Sequence, residues 1–321
     1  MLTGLTGCST TPQVPQLVQA TEPKLARAHF RAADGAVLPV RSWWPAGHPP
    51  QAIVVALHGF NDYGQSFAEP GAYWSRQGIA LVAYDQRGFG LAPARGLWAG
   101  RERYAADLLA IVRQLRRRYP DVPLYVLGES MGAAVAISAL AHAASTDVAG
   151  LILSAPAVWS RDLMPWYQRA LLALASSTVP EFEVTGRGLK ILASDNIDML
   201  RRLGRDPLVI KSTRVAALEG LTDLMDDAQT QARALKLPVL VLYGEQDQVI
   251  PKQPVNRMLA HLAGHVDARY VLYPQGFHLL FRDRHAGLPM ADVVVWVSDR
   301  HARLPSGFER TLAVSAVSPR D

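Results

Sequence analysis

Five residues, Gly128-Glu129-Ser130-Met131-Gly132, constrain the fold of this chain more than any other stretch. They match G-x-S-x-G, a pattern that does its work only between a strand and a helix. Both contexts are readable. Residues 124–127 are apolar and suited to a strand, and residues 131–144 are Ala-rich and suited to a helix. Between them the chain must reverse sharply, with the serine in a strained conformation and glycines where strand and helix approach closely. A serine held this way stands beside a helix N-terminus, where negative charge is favoured.

The surrounding elements extend the pattern. Residues 28–33 and 37–44 flank Asp34-Gly35, which reads as a hairpin turn. Continuous apolar runs follow at 53–57, 79–84, 124–127, 151–153 and 239–243, with a last short strand at 270–273. Runs without polar alternation suit a parallel sheet covered on both faces. Helical patterns fall at 103–119, 131–144, 254–263 and 290–303. This alternation predicts an α/β fold with a mostly parallel central sheet, an antiparallel N-terminal edge and helices on both faces. Residues 157–235 break the alternation and are too many for a bare loop. They read as an inserted helical cap, helical and strongly apolar at 164–175 and less regular at 189–203. The core is then 27–156 with 236–303, preceded by a tether over 1–26 and followed by a tail over 304–321.

Composition narrows the function classes. With 49% hydrophobic and 19% charged residues, the chain can bury a large core. The net charge is +5, but the charges are scattered apart from Arg116-Arg117-Arg118 at a predicted helix end. Cations suit that position, so no nucleic-acid partner is expected. The single cysteine, Cys8, excludes an internal disulfide. Leu5-Thr6-Gly7-Cys8 resembles the lipobox of bacterial lipoproteins, and residues 9–23 are polar and tether-like. Seven residues precede Cys8, fewer than a signal peptide needs, so this reading requires an upstream start. It places the chain at the cell envelope, anchored through Cys8; the alternative is the cytoplasm. No stretch is long and apolar enough for a transmembrane helix.

A serine hydroxyl needs a base to become a nucleophile. The order serine, acid, histidine leaves His142, His261, His265, His278, His285 and His301 as candidates. His278, in Gly276-Phe277-His278, follows the last strand on the loop facing the C-terminal edge of the sheet; His285 is its rival. Asp247 occupies the loop after 239–243 and is the candidate acid, with Glu245 and Asp267 as alternatives. Asp223, Asp226 and Asp227 fall in a predicted helix near the cap. An oxyanion would be met by the N–H groups of Met131, after the serine, and Phe60, after the strand 53–57. His58 reads as structural. This chemistry requires no metal or cofactor.

Together His58-Gly59-Phe60, Asp85-Gln86-Arg87-Gly88, Gly128-Glu129-Ser130-Met131-Gly132, Ser154-Ala155-Pro156-Ala157, Asp206-Pro207-Leu208, Tyr243-Gly244-Glu245-Gln246-Asp247 and Gly276-Phe277-His278 resemble the monoacylglycerol lipase and lysophospholipase family of α/β-hydrolases. The resemblance implies a serine ester hydrolase that holds one acyl chain of a glycerol ester or lysolipid under the cap. Leu163, Met164, Trp166, Leu171, Leu172 and Leu174 would line an acyl tunnel, or pack the cap onto the core. Asp85 and Arg87 would tie strand to loop. Membrane association would come through Cys8 or the cap. The same triad also serves a thioesterase, a peptidase or an acyltransferase. A reading of another class, an inactive lipid-binding module, would be favoured by a missing triad member, and none is missing.

Overall fold

The structure is a computed structural model and describes residues 22–141, 148–186, 188, 190–264 and 266–312. It opens with β1 (Lys24–Leu25), β2 (His29–Arg31) and β3 (Val37–Trp43). β2 and β3 form the expected hairpin, where Ala36 N–H donates to Asp34 Oδ1 at 3.1 Å. The chain continues through β4 (Ala52–Leu57), α1 (Ala68–Arg76), β5 (Ile79–Tyr84), α2 (Arg101–Arg118), β6 (Leu124–Glu129), α3 (Met131–Ala141) and β7 (Gly150–Ser154). Next come α4 (Trp166–Thr178), β8 (Glu183–Thr185), α5 (Ile197–Arg205), β9 (Ser212–Arg214) and α6 (Val215–Gln231). The chain closes with β10 (Val239–Gly244), α7 (Lys252–Leu262), β11 (Ala268–Tyr273), α8 (Gly287–Ser298) and β12 (Glu309–Arg310).

Among the described residues one ten-stranded sheet runs in the order β1-β2-β3-β5-β4-β6-β7-β10-β11-β12. Pairing is parallel from β5 across to β11 and antiparallel at both margins. This is the mostly parallel sheet with an antiparallel N-terminal edge that the sequence predicts. Every residue of β4, β5, β7 and β10 is buried, as strands covered on both faces must be. Helices α2, α3, α6 and α7 cover one face, and Trp74 of α1 with Val293 and Trp296 of α8 cover the other.

Several elements differ from expectation: β1 lies in the stretch read as a tether yet pairs with β2, and β8 pairs with β9 inside the stretch read as a helical cap. Helix α1 was not expected; Trp74 anchors it by burying its ring and donating Nε1–H to the Met290 carbonyl at 2.9 Å. Helix α6 lies in the stretch read as cap, yet it packs on α3 and adds Leu224, Met225 and Ala228 to the core. The stretch read as a tail contains β12, which pairs with β11 while Arg269 forms a forked ion pair with Glu309. Two contacts isolated in sequence made that last piece hard to anticipate.

Helix α3 follows β6 with one residue between them. A Cβ on Gly132 would meet the Leu57 carbonyl oxygen at 2.1 Å, and one on Gly128 would meet Ala133 Cα at 2.4 Å. Small residues at these two points let the helix enter against β4 and β6. Gly132→Ala should therefore lower stability by about 3 kcal/mol, through overpacking against rigid backbone. Thermal unfolding checks this, with a midpoint reduced by several degrees.

Candidate active site

Ser130 is one of four described non-glycine residues with positive φ, at 54°. The strain is held by hydrogen bonds on both sides. Ser130 N–H donates to the Ser154 carbonyl at 2.9 Å, and its own carbonyl accepts from Ala133 N–H at 3.0 Å and Ala157 N–H at 3.1 Å. The side chain is thus fixed at the C-terminal end of β6 and the N-terminus of α3, with 8% of the residue exposed.

The loop after β4 lies directly against this turn, since a Cβ on Gly59 would stand 3.4 Å from Ser130 Cβ. His58 Nδ1–H donates to the Gly59 carbonyl at 2.8 Å, while Nε2 accepts the Gln86 N–H at 2.9 Å. The acceptor role fixes the neutral tautomer, and full burial pulls the His58 pKa down. His58 therefore braces the loop that presents Phe60. Phe60 packs edge-on against Phe89, with ring centroids 5.5 Å apart. Met131 is the first residue of α3, so its N–H is among those a helix leaves without an internal acceptor. Asp85 and Arg87 tie strands to loops. Asp85 accepts from Arg41 at 2.5 Å, Gly64 N–H at 2.9 Å and Leu91 N–H at 2.9 Å, while Arg87 joins Asp34 and Asp107.

Asp247 and His278 come together across neighbouring strands. Asp247 follows β10 and His278 follows β11, paired in parallel from Val239↔Ala268 to Gly244↔Tyr273. His278 Nδ1–H donates to Asp247 Oδ2 at 2.8 Å. The other carboxylate oxygen accepts from Val249 N–H at 2.7 Å and Ile250 N–H at 3.0 Å, which fixes its orientation. The Asp247 side chain is fully buried although its residue as a whole is partly accessible; the accessible part is backbone. Ser130 reaches the same sheet edge, but its Oγ is not hydrogen-bonded to His278 in this conformation. Such contacts are often long without substrate and tighten in the complex. The rivals have other partners: His261 is bonded to the Gln229 carbonyl at 2.9 Å, Glu245 is paired with Lys252 at 3.6 Å, and Asp267 with Arg300 at 3.1 Å. His142 and His265 lie outside the described residues, as does Cys8.

One buried cation links the loops, and sequence reasoning did not find it. Arg282, four residues past His278, donates Nη1–H to Asp62 Oδ2 at 2.7 Å and Nη2–H to Glu129 Oε1 at 2.8 Å. Asp62 belongs to the loop after β4, Glu129 adjoins Ser130, and Arg282 sits on the loop that carries His278. Burial raises the Glu129 pKa, which Arg282 opposes. Burial works against the Arg282 charge too, but Asp62 and Glu129 outweigh it and raise its pKa. The available signal was three charged residues within four positions of the recognised motifs.

The residues expected to line an acyl tunnel divide. Met164 packs against the core and Leu163 is half-buried. Trp166 and Leu171, by contrast, are 72% and 67% exposed. Leu172 is half-buried and Leu174 exposed. Helix α4 rests on α6 but has no fully buried residue. Its outward side chains make an open apolar surface instead of a closed tunnel wall. Among the described residues there is no cluster of metal-ligating side chains, and no helix is long and apolar enough to cross a membrane.

Comparison with known proteins agrees with this fold. Monoacylglycerol lipase from Mycolicibacterium smegmatis is 24% identical over 277 residues, covering 84% of this chain and 96% of the relative. Monoglyceride lipase from Rattus norvegicus is 26% identical over 283 residues, covering 85% and 91%. The crystal structure of Paleococcus ferrophilus monoacylglycerol lipase superposes with a TM-score of 0.68 at 22% identity, covering 81% of this chain and 98% of that one. A soluble variant of monoglyceride lipase from Saccharomyces cerevisiae, solved with a substrate analog, gives a TM-score of 0.73 at 18% identity, covering 91% and 99%. Residues 48–285, well over half of the chain, match the family described as "Serine aminopeptidase, S33". The chain belongs to that family of α/β-hydrolases.

Proposed function

We propose that this chain is a serine ester hydrolase that releases a single acyl chain from a monoacylglycerol-like ester. Ser130 is the nucleophile, His278 the general base and Asp247 the group that holds the imidazole tautomer. The observation that carries this reading is the 2.8 Å bond from His278 Nδ1–H to Asp247, on the sheet edge where strained Ser130 ends β6. That bond leaves Nε2 of His278 as the basic nitrogen. Ser130 Oγ attacks the ester carbonyl as Nε2 takes its proton, and the N–H groups of Met131 and Phe60 meet the oxyanion. His278 then protonates the leaving alcohol, and later activates the water that frees the acid from the acyl-enzyme. The relatives named as monoacylglycerol and monoglyceride lipases support glycerol esters as the substrate class. A lysophospholipid offers the same single acyl ester and is the finer alternative.

The open apolar surface supports a second element of the proposal. Trp166, Tyr167, Leu171, Leu174 and Phe182 are all more than half exposed. A patch of large apolar groups of this kind marks an interaction surface. We assign it to the lipid aggregate that presents the substrate. Lipid attachment at Cys8 would be a second anchor at the cell envelope, read by mass spectrometry of the native N-terminus expressed with its upstream sequence.

Ser130→Ala should lower ester hydrolysis by about 10⁶-fold and abolish labelling by a fluorophosphonate probe. Turnover by that variant would exclude the assignment. Asp247→Asn should lower kcat by about 10⁴-fold with the fold intact, as expected when the imidazole is held in the wrong tautomer. Tyr167→Ser combined with Phe182→Ser should weaken hydrolysis of monoacylglycerol in vesicles by about tenfold. Turnover of a soluble nitrophenyl ester should stay within about twofold. Equal losses on both substrates would count against the lipid-surface role.

A further inference from the structure

Residues 192–196, between β8 and α5, lie across the two loops that carry the acid and the base. Leu192 N–H donates to Oε1 of Gln248, the residue after Asp247, at 2.9 Å. The Ala193 carbonyl accepts from Leu279 N–H, just after His278, at 3.0 Å. Ser194 Oγ–H donates to Asp283 Oδ1 at 2.5 Å, and Asp195 Oδ1 accepts from Arg284 N–H at 2.8 Å. Asn196 Nδ2–H donates to the Arg282 carbonyl at 3.1 Å. This strap is therefore fastened on both sides of the pair without bonding to either member.

Its firmest point is Asp283. The second carboxylate oxygen of Asp283 accepts from Phe277 N–H at 2.7 Å, so it holds the Gly276–Phe277 peptide, one residue before His278. Ser194 has no accessible surface and Asp283 is buried. We propose that Asp283, held by Ser194, is a positioning residue for His278: it fixes the Gly276–Phe277 peptide, and through it the course of the loop into His278 and the direction in which the imidazole points. The proposal rests on His278 being the base. Fixing a base in this way contributes through orientation, because small misplacements of a reacting group cost large factors in rate. Burial pushes the Asp283 carboxyl up to about 6, while the hydrogen bonds from Ser194 and Phe277 oppose the rise. The strap belongs to the segment inserted between β7 and β10. A displacement of that segment is thereby transmitted to the histidine loop through Ser194.

The test uses the full chain, a soluble nitrophenyl ester and the proton resonance of His278 Nδ1–H, with thermal unfolding to verify folding. Asp283→Ala is expected to lower kcat by about 10- to 100-fold, with KM within about twofold, and to shift or broaden the resonance. Asp283→Asn can still accept from Phe277 N–H and should recover kcat to within about threefold of the native value. Ser194→Ala, the milder change, should lower kcat by about three- to tenfold and also move the resonance. Native kcat with an unmoved resonance in Ser194→Ala, or in folded Asp283→Ala, overturns the proposal; so does an equal loss in Asp283→Asn and Asp283→Ala. The resonance is recorded without substrate. Failure of native protein to hydrolyse any ester would therefore defeat the ester-hydrolase reading, while the strap would still be judged by the resonance.

Discussion

The guanidinium of Arg282, buried between the carboxylates of Asp62 and Glu129, is the interaction on which the arrangement of this site depends. Each carboxylate alone would be costly to bury in ionised form. Together with one cation they become tolerable, and the electrostatic cost of separating them holds three loops in register. Loss of the arginine from such a cluster costs about 3–5 kcal/mol, because it leaves buried charges without a partner. Well-packed apolar groups could supply stability as cheaply. What the charged bridge adds is direction: two forked donors fix where the loop after β11 lies relative to the loop after β4 and the turn after β6. The placement of Ser130 and His278 then follows from backbone held at three places.

The same economy governs the serine turn. A residue at φ 54° is held against its preference by hydrogen bonds from both flanks, and by two glycines that let α3 approach β4 and β6. Parallel pairing brings the ends of β6, β7, β10 and β11 level, so residues distant in sequence leave the sheet at one edge. Loops there are short and braced, and His58 shows how far this goes. Its ring is buried and kept neutral so that its two nitrogens can serve as struts.

Much of this was legible in the sequence. Apolar runs without alternation announced the buried strands, Asp34-Gly35 announced the hairpin, and G-x-S-x-G located the turn. Asp247 and His278 were singled out by position alone, each on a loop after a strand, and the structure joins them by a hydrogen bond. The remainder was hidden for physical reasons. Trp74 holds α1 through a ring contact and one bond to Met290, more than two hundred positions away, which no local pattern reveals. The short strand β12 has two residues, too few for any periodicity. Arg282 and Asp283 look like ordinary surface charges in the sequence, and only tertiary packing buries them. The apolar residues of α4 misled in the opposite sense: hydrophobicity suggested an enclosed lining, whereas the helix turns those side chains outward.

That outward helix bears on how such a protein can change over evolutionary time. Because α4 buries none of its residues, substitutions on the face turned away from α6 alter stability by little more than helix propensity. The loops after β4, β6 and β11, by contrast, are tied to one another through Arg282. The surface that meets the outside is nearly free of such constraint. Side chains on that face can therefore be exchanged with the buried loops beneath left as they are.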